Sequence, residues 1–115
     1  MLRIGLDIGS TTAKLVVIER NAIVYQDYVR HYSDIKKAAL SLLSDVQIRF
    51  PERGAALTVS GSSGLSLSKL GGVPFIQEVI ACTKAISELI PECDTAIELG
   101  GEDAKIIYLR GGIEQ

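Results

Sequence analysis

An α/β fold built on a mixed sheet is what this sequence predicts, and three observations predict it. Short apolar runs with the two-residue period of strands recur along the chain. Two stretches with helical spacing lie between the later runs. The first three runs are joined by turns too short for anything but an antiparallel meander. Composition agrees: 115 residues, 47% hydrophobic and 23% charged, describe one domain able to bury a core rather than a disordered segment.

Leu2, Ile4, Leu6 and Ile8 alternate with Arg3, Gly5 and Asp7, the pattern of a first strand. Gly9-Ser10-Thr11-Thr12 makes a polar turn. Leu15-Val16-Val17-Ile18 follows as a nearly unbroken apolar strand, which suggests a sheet covered on both faces. Glu19-Arg20-Asn21 is turn chemistry, with Asn21 suited to a left-handed conformation. A third strand runs from Ala22 to His31. Ser33 is a good helix N-cap with Asp34 in the first turn. Ile35, Ala38, Ala39, Leu42, Leu43, Val46 and Phe50 then form one helical apolar stripe, which Pro51 and Gly54 end.

Ala55 to Ser60 reads as a fourth strand, made parallel to the first by the right-handed crossover that a helix between two strands implies. Gly61-Ser62-Ser63-Gly64 is a loop at which a ligand or partner could touch amides or hydroxyls, and a plain connection explains it equally well. Leu65 to Leu70 suggests a short helix. A second amphipathic helix carries Phe75, Val79, Cys82, Ile86 and Leu89, with Pro74 suited to its first position and Pro91 closing it. Thr95 to Leu99 is a fifth strand and Ala104 to Leu109 a sixth. Arg110-Gly111-Gly112 begins a hairpin returning through Ile113-Glu114-Gln115.

Three antiparallel strands, helix, strand, helix, strand, with an additional strand or hairpin at the C-terminus, is the order of the ribonuclease-H-like fold. Strands one, four and five would then be parallel, with their carboxyl ends on one edge, where open α/β sheets collect ligands. Asp7 and Glu98 both fall there.

The net charge of −2 and a pI near 5.3 argue against nucleic acid or an anionic membrane as partner. No apolar run approaches the length of a membrane span, and Met1 leads directly into an alternating strand with no signal-peptide pattern, so a cytoplasmic location is the expectation. Cys82 and Cys93 form neither a disulfide framework nor a CxxC pair and read as packed or half-buried thiols. His31, the only histidine, reads as a surface residue at a strand end.

The chemistry lies in two strand–turn–strand units, Asp7-Ile8-Gly9-Ser10-Thr11-Thr12 and Glu98-Leu99-Gly100-Gly101-Glu102-Asp103. Glycines let successive backbone N–H groups approach an anion, and hydroxyls add donors without bulk. A carboxylate beside a phosphate is repulsive unless a cation lies between, so Asp7 and Asp103 imply a hydrated magnesium ion, with Lys14 offsetting further charge. Each unit alone is also what an ordinary hairpin turn looks like. As a pair, at corresponding strand ends, they favour a ligand site. The GxxxxGK[ST] and GxGxxG patterns are absent.

Leu6-Asp7-Ile8-Gly9-Ser10-Thr11-Thr12-Ala13-Lys14 resembles the first phosphate motif of the actin, sugar-kinase and heat-shock-chaperone ATPase superfamily. Ile97-Glu98-Leu99-Gly100-Gly101-Glu102-Asp103-Ala104-Lys105 resembles the D-I-G-G-Q-D-[SA]-K second phosphate motif of one branch. That branch is the ATP-dependent activators of 2-hydroxyacyl-CoA dehydratases and benzoyl-CoA reductases (the BadF/BadG/BcrA/BcrD family), which also have a Glu-containing helix where Gln77-Glu78-Val79 stands.

The resemblance implies an activase in which ATP binding and hydrolysis drive a low-potential electron from an iron–sulfur cluster into a partner enzyme. It implies that Asp7 holds magnesium through water, that Gly9, Ser10, Thr11 and Thr12 contact the phosphates with Lys14 close by, and that Gly100 and Gly101 form the second phosphate loop. Asp103 would orient magnesium or the attacking water. Glu98 stands in place of the family's Asp and Glu102 in place of its Gln, so the catalytic set would be Asp7, Glu98, Glu102 and Asp103, with the role of Glu102 open.

The resemblance further implies that residues 1–115 are the first lobe of a longer protein. Adenosine recognition (ATP or ADP) would come mostly from a second lobe in the same chain, and the cluster cysteines from beyond the second motif. Partners would be a CoA-substrate dehydratase or reductase and, in the full-length form, a second copy. Three other readings stand beside it: a kinase lobe of the same superfamily, a two-metal nuclease using Asp7, Glu98 and Asp103, and a lobe that docks a partner without catalysis.

Overall fold

The computed structural model describes residues 1–99 and 104–109, and the backbone of 113–114. Its elements are β1 (Leu2–Ile8), β2 (Thr12–Glu19), β3 (Ala22–Arg30), α1 (Ile35–Arg49), β4 (Ala55–Ser60), α2 (Leu65–Gly71), α3 (Glu78–Leu89), β5 (Thr95–Leu99), β6 (Ala104–Leu109) and β7 (Ile113–Glu114). This is the order of a ribonuclease-H-like mixed α/β fold closed by an antiparallel hairpin. The chain divides into two compact units, Met1–Phe75 and Ile76–Gln115.

In the first unit the sheet order is β3-β2-β1-β4, with β1 antiparallel to β2 and parallel to β4. The two-residue alternation of β1 sets its facing. Leu2, Ile4, Leu6 and Ile8 are buried on one face, and their ladder partners Val17, Leu15, Ala13 and Val59 join them there. Ala38, Ala39, Leu42 and Val46 of α1 complete that core. The opposite face is more open than the apolar run of β2 suggests, because Val16 is half-buried and Ile18 exposed. Arg20 and Asn21, with φ of 53° and 64°, form the two-residue turn between β2 and β3, as the right-handed twist of a hairpin favours.

Two helix starts differ from those read in the sequence. Tyr32 and Ser33 both adopt left-handed backbone (φ 49° and 66°), so Ser33 lies outside α1. Asp34 caps α1 instead, its carboxylate accepting from the Lys37 amide at 3.1 Å. Pro74 is not helical. The edge of β4 needs a partner, and the extended segment around Pro74 supplies one: the Val59 N–H donates to the Pro74 carbonyl at 2.9 Å, and Phe75 bridges Val59 in parallel. The helix therefore begins at Glu78, after Gln77 in an extended conformation.

In the second unit β5, β6 and β7 form an antiparallel sheet in that order, with α3 against β6. Among the described residues the hydrogen-bonded ladders are thus β3-β2-β1-β4 in the first unit and β5-β6-β7 in the second. On α3, Thr83 is buried and Val79, Cys82 and Ile86 are half-buried, whereas Leu89, assigned to the apolar stripe from its spacing, is exposed at the last turn. Among the described residues no helix is long and apolar enough to cross a membrane.

The facing of α1 has a direct test. Leu42 is fully buried and Ile48 is 77% exposed. Leu42→Ala is expected to lower the unfolding free energy by about 3 kcal/mol and Ile48→Ala by less than about 0.5 kcal/mol. Urea unfolding of both variants measures this, and equal losses would contradict the orientation.

Candidate functional site

Asp7 sits one residue before the end of β1, on the face away from the α1 core. Across the antiparallel ladder it pairs with Lys14, and across the parallel ladder with Ser60. The Lys14 ammonium lies 3.7 Å from Asp7 Oδ2. Both side chains are about half exposed, so this pair is worth at most about 1 kcal/mol and leaves the lysine free to reorient. The other carboxylate oxygen, Oδ1, is buried without a hydrogen-bond partner among the described residues, and so is Ser60 Oγ. A carboxylate oxygen in that state calls for a donor or a cation, since leaving it unpaired is costly. A single inner carboxylate with water completing the shell is how magnesium is commonly held, so these residues fit a hydrated ion. Among the described residues no three His, Cys, Asp or Glu side chains gather into a protein-only metal cage.

Gly61 closes the floor. Its φ is +103°, and a Cβ there would stand 2.2 Å from the Ile8 carbonyl oxygen and 2.6 Å from Asp7 Oδ1. Ser63 then donates its N–H to the Ile8 carbonyl at 2.9 Å. The loop left open between ligand contact and plain connection therefore packs directly on the acid-bearing strand end.

Three carbonyls of the turn from Gly9 to Thr12 have partners, two of them on His31. Gly9 N–H donates to the Thr12 carbonyl at 2.9 Å, and His31 N–H to the Thr11 carbonyl at 3.1 Å. The Gly9 carbonyl is 2.8 Å from His31 Nε2. The amides of Ser10 and Thr11 have no partner among the described residues. Their hydroxyls lie 3.5 Å apart. Occupied carbonyls next to amides that have no partner among the described residues leave donors available, the arrangement that receives an anion. His31 is not the surface residue its sequence context suggests: it is 6% exposed. The sequence signal for it was weak, a lone histidine between Arg30 and Tyr32.

The second unit repeats the construction. Glu98 of β5 pairs across the ladder with Lys105 of β6, as Asp7 does with Lys14, and Leu99 pairs with Ala104 as Ile8 does with Ala13. Lys105 Nζ lies 3.6 Å from Glu98 and 3.3 Å from Glu78 at the start of α3. Neither Glu78 nor Lys105 was singled out as a site residue, although the spacing from Glu98 to Lys105 matches that from Asp7 to Lys14 and marks the lysine. Gly100, Gly101, Glu102 and Asp103 lie outside the described residues. Cys82 is near this cluster. Burial raises the pKa of its thiol, and the negative charges of Glu98 and Glu78 raise it further against an opposing effect of Lys105.

No protein-family model matches the chain. It is 27% identical over 107 residues to an uncharacterized protein of Methanocaldococcus jannaschii, covering 92% of this chain and 42% of that protein. Its fold is that of the activator of 2-hydroxyisocaproyl-CoA dehydratase from Clostridium difficile, solved with bound ADPNP: TM-score 0.80, 24% identity, 100% of this chain and 44% of the activator. It matches component A of (R)-2-hydroxyglutaryl-CoA dehydratase from Acidaminococcus fermentans equally well, with TM-score 0.81, 23% identity and coverage of 98% and 44%. A Ppx/GppA-family protein of Aquifex aeolicus shares the fold more distantly, at TM-score 0.61 and 12% identity, covering 100% of this chain and 49% of that one. The chain thus spans less than half the length of each of these proteins.

Two outcomes test the geometry. Gly61→Ala is expected to cost roughly 2–4 kcal/mol of stability, because the methyl group meets backbone at a left-handed position. Gly5→Ala, with nothing within 4 Å of its Cβ, is expected to cost under about 1 kcal/mol; urea unfolding compares the two. In the second unit, Glu98→Gln removes one of the charges that hold the Cys82 thiol protonated. The pH profile of Cys82 alkylation by iodoacetamide is therefore expected to move to lower pH, and an unchanged profile would contradict the packing of Glu98 near Cys82.

Proposed function

We propose that this chain is the first phosphate-binding lobe of an ATP-dependent activase that drives electron transfer into a CoA-substrate dehydratase or reductase. The observation that carries the reading is the Gly9–Thr12 turn. Its Ser10 and Thr11 amides, and a buried carboxylate oxygen of Asp7 two residues before it, have no partner among the described residues, in a fold shared with an ADPNP-bound activator.

In this reading the amides and hydroxyls of Ser10, Thr11 and Thr12 receive the terminal phosphates, with Gly9 allowing close approach. Asp7 orients a hydrated magnesium ion, and Lys14 leaves its surface pairing to balance phosphate charge. Bound magnesium supplies charge neutralisation between the phosphates and the carboxylates. Gly100 and Gly101 form the second phosphate loop, and Asp103 contributes to the metal or to water orientation. Glu98 is held by Lys105 against Glu78, which favours a positioning role for it over direct metal ligation. Glu102 stands in place of the Gln of the activator motif, and its part in positioning water is open.

A second lobe of the same chain supplies most of the adenosine contacts, and an iron–sulfur cluster belongs to that later part. The assembled protein is a cytoplasmic ATPase, in the form of a homodimer, that docks on a CoA-substrate dehydratase or reductase.

Calorimetric titration of the full-length protein with MgATP is the test. Asp7→Asn is expected to weaken binding about 10- to 100-fold, the scale of losing a hydrogen-bonded charged group. The 115-residue chain alone is expected to bind weakly. Tight, adenine-specific binding by that chain would contradict the need for a second lobe, and an unaffected Asp7→Asn would contradict the site.

A further inference from the structure

We propose that His31 is a positioning residue for the phosphate turn: its Nε2–H holds the Gly9 carbonyl so that the Ser10 amide faces the anion. The inference rests on the phosphate-binding reading of the Gly9–Thr12 turn.

The hydrogen bonds assign the tautomer. Ser33 N–H donates to His31 Nδ1 at 3.0 Å, and an N–H donates only to a nitrogen that carries no hydrogen. Nδ1 is therefore bare and Nε2 carries the proton. Nε2 in turn lies 2.8 Å from the Gly9 oxygen, which can only accept. The ring thus spans from its own strand exit to the turn 22 positions earlier, with a donor at one end and an acceptor at the other. His31 also donates its main-chain N–H to Thr11, so one residue holds two of the turn's carbonyls.

The consequence follows from peptide geometry. In a trans peptide the carbonyl of one residue and the N–H of the next point in opposite directions. With the Gly9 carbonyl drawn to His31, the Ser10 N–H is turned to the other side, where it has no partner among the described residues. Two local features accompany this contact. Tyr32 and Ser33 accept left-handed φ values, uncommon for residues other than glycine, and this brings the Ser33 N–H back onto the ring. The Arg30 guanidinium lies 5.2 Å from the Tyr32 ring and covers the bend. Because His31 is buried, water cannot readily replace either contact.

The test compares full-length wild type with His31→Phe and His31→Gln. Phenylalanine keeps the ring and removes both contacts, whereas the glutamine amide can still donate to Gly9. His31→Phe is expected to raise the MgATP dissociation constant about tenfold, and His31→Gln to recover most of that loss. Nitrogen-15 spectra of labelled histidine are expected to show the Nε2–H form. If wild type binds MgATP and His31→Phe binds it equally well, the inference is overturned while the phosphate reading stands. If both variants lose affinity alike, and only in proportion to lost thermal stability, the role is structural and the inference is also overturned. If wild type does not bind MgATP at all, the phosphate reading fails. The spectra and the amide exchange of the Gly9–Thr12 turn then decide whether His31 holds the turn, with an Nδ1–H form counting against it.

Discussion

Asp7 is held at the junction of two ladders, and most of what the first unit does depends on that placement. Its antiparallel partner is Lys14 and its parallel partner is Ser60, so one carboxylate faces a cation on one side and a hydroxyl on the other. The alternation that buries Leu6 and Ile8 necessarily turns Asp7 to the opposite face. Core packing and site placement are thus the same constraint. A one-residue slip in β1 would bury the acid and expose the core together.

The surroundings of Asp7 tolerate little change. Gly61 approaches the strand end more closely than any side chain allows, and His31 braces the turn from the other side. These contacts leave a buried carboxylate oxygen and two amides without partners among the described residues. Unsatisfied polar groups reduce stability, and a fold retains them where a ligand completes them. The second unit uses the same strand–turn–strand register with Glu98 and Lys105, and there Glu78 of α3 joins the pair. The lysine connecting a turn-bearing strand to a helix is a physical link that the first unit lacks among its described residues.

Much of this was legible in the sequence, for identifiable reasons. Alternating apolar residues in β1 and helical spacing in α1 state which face is buried, and Arg20-Asn21 states its turn. The acid and glycine of the first turn stood out in the sequence because residue type and local spacing carry such chemistry, whereas Gly100 to Asp103 lie outside the described residues. What was not legible depended on contacts distant in sequence. His31 looked exposed because nothing near it in sequence reveals that its ring reaches Gly9. Ser33 looked like a cap because its left-handed backbone is set by that same ring. Pro74 looked like a helix start because the unpaired edge of β4, which claims it, is invisible from local pattern. Glu78 was passed over as a site residue because its partner Lys105 lies on another element.

The central claim is that the Asp7-to-Thr12 strand end receives the metal and phosphates of a nucleotide. Paramagnetic broadening of amide resonances by manganese–ATP tests it most directly, because broadening falls steeply with distance from the ion and remains visible when binding is weak. The strongest broadening is expected at Asp7 and Gly9 through Thr12, extending to Ser60 and Gly61, with reversal on adding excess magnesium–ATP. Broadening centred elsewhere, or none at high nucleotide concentration, would contradict it.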